Sequence, residues 1–95
     1  MKISELRDGM RSVNLVAKVV GLSEPKEVRS RYGGVNRVAT ATIEDESGTI
    51  RMALWNDQIE QVNVDDTIKV ENGYVKSFRG EIQLNVGRYG KLSVI

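Results

Sequence analysis

The sequence predicts an all-β fold: one five-stranded Greek-key barrel with a short helix between strands 3 and 4. Three observations lead there. The 95 residues include nine glycines, one proline and many β-branched side chains, a composition of short strands joined by turns. Apolar and polar residues alternate along five segments, the period of a half-buried strand. The single internal stretch with helical spacing falls between the third and fourth segments. The length suits one domain over residues 1–95, and no repeat or linker interrupts it.

Ile3 and Leu6, three apart, predict at most one helical turn, or an irregular arm covering the barrel, ended by Gly9. Strand 1 is 12–20, with Val13, Leu15, Ala17 and Val19 on one face and Asn14, Val16, Lys18 and Val20 on the other. Gly21 relieves a bend in it. Residues 23–36 read as a polar, basic connection whose Gly33-Gly34 pair permits a tight reversal. Strand 2 is 37–44, with Ala39, Ala41 and Ile43 as its core face. Asp45-Glu46-Ser47-Gly48 is a hairpin turn. Strand 3, TIRMALW, buries Ile50, Met52 and Leu54 and turns Arg51, Ala53 and Trp55 outward.

Residues 56–64 predict a short helix, N-capped by Asn56 or Asp57, with Ile59 and Val62 on one stripe. Strand 4 is 67–78. Ile68 and Val70 share a parity that Val75 does not, so Asn72-Gly73 predicts a β-bulge. Beyond it Tyr74, Lys76 and Phe78 point together, away from Val75. Arg79-Gly80 turns the chain into strand 5, 81–86, with Ile82, Leu84 and Val86 inward. This order is the plan of the OB-fold. An SH3-like barrel has a similar strand count but does not normally carry a helix there, and ranks second.

Composition removes whole classes of function. With no cysteine and no histidine, thiolate and imidazole metal sites, cysteine nucleophiles and Ser-His-Asp triads are excluded. Catalysis would fall to carboxylates that read as turns and helix ends, so no enzyme, cofactor or metal is expected. Acidic pairs at Asp45-Glu46 and Asp65-Asp66 could offer oxygen ligands to Mg²⁺, but acidic turns are common and the plainer reading is a turn. No apolar run approaches the roughly 20 residues of a membrane helix and no leader pattern opens the chain. A monomeric cytoplasmic protein with no membrane partner is the expectation.

Five aromatic residues are few, and their placement is informative. Trp55 closes strand 3 on its outward face. Tyr74 and Phe78 share the outward face of strand 4, with Lys76 between them. Taken singly, each ring has an ordinary structural use, at a barrel rim or over a bulge. Jointly they lie on the parity opposite to Ile50, Met52, Leu54 and Val75. Interleaved with Arg51, Lys76 and Arg79, they make a platform on which bases stack while cations follow the phosphates.

Net charge is only +1, from 14 basic and 13 acidic residues, but it is unevenly spread. Residues 26–37 and 69–91 each carry +3, and 44–66 carry −6. Opposite signs on opposite faces are the expectation, against the plainer reading of ordinary solvated surface. Arg29, Arg31, Tyr32 and Arg37 place three cations and a ring on the first connection, which suits a clamp over a bound strand. Arg88 and Tyr89 add a cation and a ring in the tail.

GTIRMALW and VENGYVKSFRGEIQLNVGR, with the opening MKISELRDGMRSVNLVAKVV, resemble the single-OB single-stranded DNA-binding proteins of archaea and their eukaryotic relatives in the SOSS complex. A wider kinship is with the OB domains of replication protein A. The resemblance runs through the turn Asp45-Glu46-Ser47-Gly48-Thr49-Ile50, the strand-ending Trp55, and Tyr74 with Phe78. It implies binding of single-stranded DNA with little sequence specificity, in replication, repair or recombination, with replication or repair proteins as partners and a nucleoid-associated location. Two departures stand out. Some relatives carry an aromatic on strand 5 where this chain has Asn85. Many continue into a Gly-rich or acidic tail, whereas this chain stops at Ile95, so tail-borne contacts are absent or the chain is an excised domain. Two alternatives stay open: an RNA- or tRNA-binding OB module that takes single-stranded RNA, and a protein-interaction OB domain using the acidic 44–66 segment.

Overall fold

The computed structural model describes residues 1–29, 33–87 and 89–95. Arg31, Tyr32 and Arg88 therefore lie outside the described residues. A 3₁₀ turn (Ile3–Glu5) is followed by β1 (Val13–Leu22), β2 (Lys26–Arg29), β3 (Val35–Asp45), β4 (Gly48–Trp55), α1 (Asp57–Gln61), β5 (Thr67–Phe78), β6 (Glu81–Asn85) and β7 (Lys91–Val94).

Strand β1 pairs with β3 on one edge and β5 on the other; β3 pairs with β4, β4 with β6 in parallel, and β6 with β5. The circuit β1-β3-β4-β6-β5 thus returns to β1, and its five members are the five strands that alternation predicts. The OB-fold is present, although not as a plain barrel, because two further strands hang on the circuit. Strand β2 pairs with β3, from Lys26 opposite Val38 to Arg29 opposite Val35. Strand β7 takes the edge of β5 that β6 leaves free, Ile68 to Glu71. The 23–36 segment is thus partly a β-ribbon rather than a loop. All four β2 residues are exposed, so no burial pattern marks the strand.

The core is wholly aliphatic. It holds Val13, Leu15, Ala17 and Val19 of β1; Ala39, Ala41 and Ile43 of β3; Ile50, Met52 and Leu54 of β4; Ile68, Val70 and Val75 of β5; and Leu84 of β6. Ile3 and Leu6 plug the end of the barrel beside the β3–β4 turn, and Ile59 and Val62 plug the other. Residues 8–10 then extend the free edge of β5: Gly9 N–H donates to Val75 O, and Val75 N–H to Met10 O.

Both predicted irregularities are present. The β1–β3 register shifts between Val19 and Gly21. On the other edge Val13 faces Gly73 while Leu15 faces Val70, so β5 carries one extra residue. Asn72 adopts φ +54° there, and Asn14 Oδ1 accepts its N–H at 3.0 Å. A Cβ on Gly73 would sit 3.0 Å from both Asn85 O and Val70 Cγ1, so a larger residue would have to push these neighbours back.

Three local expectations are corrected. The helix is shorter than 56–64, because Val62 is extended and Asn63–Asp66 closes its own turn, with Asp66 Oδ2 accepting the Asn63 N–H. Ala53 is buried rather than outward-exposed; its small side chain lies between Thr40 and Asn85 in the register, overshadowed by taller neighbours. Ile82 is exposed rather than inward, because β6 meets β4 only over Gln83–Asn85 and Ile82 lies beyond that contact. Within the acidic segment, Glu46, Glu60 and Asp65 pair with Lys2, Arg37 and Lys18.

Asp45 ties the N-terminal arm to the β3–β4 turn. Its Oδ2 accepts the Ile3 N–H at 2.8 Å and its Oδ1 accepts the Ser47 N–H at 2.7 Å. Burial pushes this carboxyl up, but the Ser47 hydroxyl and the N–H groups of Ile3, Ser47 and Gly48 outweigh it and hold it below the ordinary value. A carboxyl lowered in the folded state stabilises the protein above its unfolded pKa and loses that contribution as pH falls through its folded one. Asp45→Asn is expected to cost about 1 kcal/mol at neutral pH. Its melting temperature is expected to fall less than the wild type's below about pH 4. Parallel acid titrations of stability check this; equal slopes would refute it.

Candidate nucleic-acid interface

Residues opposite one another in a ladder share a face. The pairings therefore lay out one continuous outward surface across β3, β4, β6 and β5. One row runs Thr40, Ala53, Asn85, Tyr74, and the next runs Thr42, Arg51, Gln83, Lys76. Val38 and Trp55 lie one step beyond the first row, and Glu81 and Phe78 one step beyond the second. The Asn72 bulge is what allows this. Its extra residue moves β5 from burying even positions to burying odd ones, so Tyr74, Lys76 and Phe78 emerge beside Arg51 and Trp55.

All four described aromatic rings are exposed: Trp55 at 39%, Tyr74 at 39%, Phe78 at 55% and Tyr89 at 84%. A domain with an aliphatic core and every described ring outside it has left its largest apolar side chains in water, where folding gains least from them. With strand spacings of about 4.8 Å and about 3.3 Å per residue, Trp55, Tyr74 and Phe78 follow a path of about 25 Å across the face.

Each ring is positioned by its backbone. Trp55 occupies the last rung of the β3–β4 ladder. Asn56 follows with φ +51° and ψ −118°, turning the chain sharply into α1. Its side chain, in the N-cap position, makes no capping bond; instead Oδ1 accepts the Arg37 N–H at 3.0 Å while Asn56 N–H donates to Arg37 O at 2.9 Å. Gln58 Oε1 accepts the Trp55 N–H at 3.0 Å. The Tyr74 ring lies against Gly87, where a Cβ would fall 3.0 Å from Tyr74 Cε1. Phe78 precedes a two-residue turn whose Arg79 and Gly80 both have positive φ, 51° and 82°. That is the type I′ geometry, which prefers Asn-Gly. The Arg79 guanidinium carbon is 5.2 Å from the Phe78 ring centre, within cation–π range.

The cations divide into groups. Lys76 lies between Tyr74 and Phe78 and forms no ion pair among the described residues. Arg51 is on the same row but pairs with Glu81 at 3.1 Å. Glu81 stands opposite Phe78, and exposed Glu44, opposite Thr49 on the outward side of β3, is a second acid on the face. Arg37 is on the core side of β3 and reaches Glu60 of α1 at 3.0 Å. Arg29 has the same parity, so the register does not bring Arg29 and Arg37 to the Trp55 side. It brings Lys26 instead, opposite Val38, which is opposite Trp55. Nothing in the local pattern marks Lys26 as a site residue, because the parity of β2 becomes visible only once its pairing is known.

A family model described as "Single-stranded DNA binding protein Ssb-like, OB fold" matches residues 6–94. The chain is 29% identical over 92 residues to the single-stranded DNA binding protein Ssb of Saccharolobus solfataricus, covering 97% of this chain and 62% of that one. It is 34% identical over 97 residues to Replication factor A of Methanothermobacter thermautotrophicus, covering 96% of this chain and 12% of that one. It thus spans less than two thirds of either curated relative. Among solved structures, the second OB-fold domain of replication protein A from Methanococcus maripaludis superposes with a TM-score of 0.81 at 29% identity, over 100% of this chain and 93% of that one. An OB domain from Thermoplasma acidophilum reaches a TM-score of 0.86 at 25% identity, over 100% and 85%.

Proposed function

Because the chain belongs to the Ssb-like OB-fold family of single-stranded DNA-binding proteins, we propose that it binds single-stranded DNA with little sequence specificity and acts in replication, repair or recombination. The observation that carries this reading is the exposed series Trp55, Tyr74 and Phe78 on one sheet face, over a core that contains none of them. Bases stack on the rings at about 1–3 kcal/mol each, and every base has a π-face. Lys76 and Arg79 contact phosphates directly, and Arg51 does so by exchanging Glu81 for a phosphate. The path of about 25 Å suits about four nucleotides, the lower end of OB-fold site sizes. The ribbon of β2 and β3 lies beside Trp55 and serves as the clamp, with Lys26 facing the strand. The role is binding rather than catalysis.

Trp55 is the sole tryptophan, so its fluorescence reports on the site directly. Titration with a poly-pyrimidine oligomer is expected to quench it, less so as salt rises. No quenching at low salt would refute the reading, and tighter binding of a matched RNA oligomer would redirect it.

Arg79→Asn separates stability from binding. Asparagine tolerates left-handed φ, which costs other side chains about 1–2 kcal/mol. The variant is expected to gain up to about 1 kcal/mol in stability while its salt slope falls by about 0.7, one phosphate contact. A slope equal to the wild type's would remove Arg79 from the phosphate path.

A further inference from the structure

Beyond Tyr74, on the side of the Asn72 bulge, lies a cavity of about 360 Å³ that the aromatic face does not include. Tyr74 and Tyr89 line it together with Gly73, Gly87 and Gly90, and Arg11 and Ser12 line it from the arm. Three observations mark it as built for a ligand. The volume falls within the range of about 300–1,000 Å³ typical of small-molecule sites. Tyr89 is the most exposed of the described rings, and Arg11 is an exposed cation with no ion pair among the described residues. Two lining residues other than glycine, Ser12 and Asn72, hold positive φ of 55° and 54°, a conformation retained chiefly where the surroundings enforce it. Tyr74 belongs both to this cavity and to the outward face, so a strand crossing the face reaches the cavity without leaving the protein.

We propose that this cavity is a further nucleotide subsite, holding the base next beyond Tyr74 against the Tyr89 ring and its phosphate on Arg11. The proposal rests on the single-strand reading above and extends it past the three central rings. Tyrosine supplies the stacking surface, and the Arg11 guanidinium offers paired N–H donors to phosphate oxygens.

The test compares oligothymidylates of about four and about seven nucleotides, the shorter sized to the central rings and the longer able to reach the cavity. Binding is read by anisotropy of a labelled oligomer. In the wild type the longer oligomer is expected to bind about tenfold more tightly, as one added stacked base and phosphate would give. Arg11→Ala and Tyr89→Ala are each expected to cut that gain to about twofold, and Tyr89→Phe to keep it, since a ring suffices. Arg11→Ala is also expected to lower the salt slope for the longer oligomer by about 0.7. Both positions are exposed, and thermal melts confirm that the variants fold. Wild-type binding with the full gain kept in Arg11→Ala and Tyr89→Ala would overturn the subsite alone. A wild type that binds neither oligomer would overturn the single-strand reading and the subsite with it.

Discussion

Trp55→Ala is expected to weaken single-strand binding by about 1–3 kcal/mol, roughly 5- to 150-fold, with the fold intact. The large effect on affinity follows from the loss of one complete stacking surface. The small effect on stability follows from position. Trp55 is 39% exposed at the last rung of β4, while the buried neighbours that hold this end of the barrel, Leu54, Ile59 and Val62, are untouched. The Arg37–Asn56 pair of backbone-anchored hydrogen bonds also survives, since it uses no atom of the indole. Stability is expected to drop by less than about 1 kcal/mol. Two measurements are needed, a binding isotherm with a labelled oligomer and a thermal melt. Wild-type affinity in a folded variant would sink the stacking claim. Global unfolding would show that Trp55 is a structural cap.

Leu84→Ala is expected to do the reverse. Leu84 is fully buried, pairs with Met52 on one side and Val75 on the other, and lies close to the Gly73 bulge. It sits at the junction that joins the two halves of the barrel. Truncating a buried leucine costs about 2–5 kcal/mol, transfer and cavity together. For a domain of this length that is a large share of a total of about 5–14 kcal/mol. At about 4–8 °C per kcal/mol, the melting temperature is expected to fall by about 8–40 °C. At low temperature, where the variant is folded, affinity is expected to stay near the wild type's, because no atom of the outward face has been removed. A fall of less than about 5 °C would show that the core does not depend on this junction. Together the two variants test whether core and binding face are separable sets of residues.

Much of that separation is legible in the sequence. Strand alternation is a local property: the parity of a residue within its own strand decides its face. Ile50, Met52 and Leu54 against Arg51 and Trp55 required no knowledge of any partner strand. Even the bulge was legible, because Ile68 and Val70 fall on one parity and Val75 on the other, and one extra residue reconciles them. The misplaced residues lie where local parity stops deciding burial. Ile82 has the inward parity but no β4 neighbour, and Ala53 has the outward parity but a side chain too short to reach water.

Local patterning is enough for the five barrel strands, the helix between the third and fourth, the aliphatic core and the outward parity of Trp55, Tyr74 and Phe78. The rest comes from pairing between distant segments. That pairing made strands of Lys26–Arg29 and Lys91–Val94, too short and exposed to carry a burial pattern. It set Lys26 rather than Arg29 and Arg37 on the Trp55 side, joined Arg51 to Glu81 and Arg37 to Glu60, and assembled a cavity from Arg11, Tyr74 and Tyr89. The physical reason is range. A side chain's face follows from its immediate neighbours in the chain. Its partner depends on the register between segments dozens of residues apart, and no single strand's sequence encodes that register.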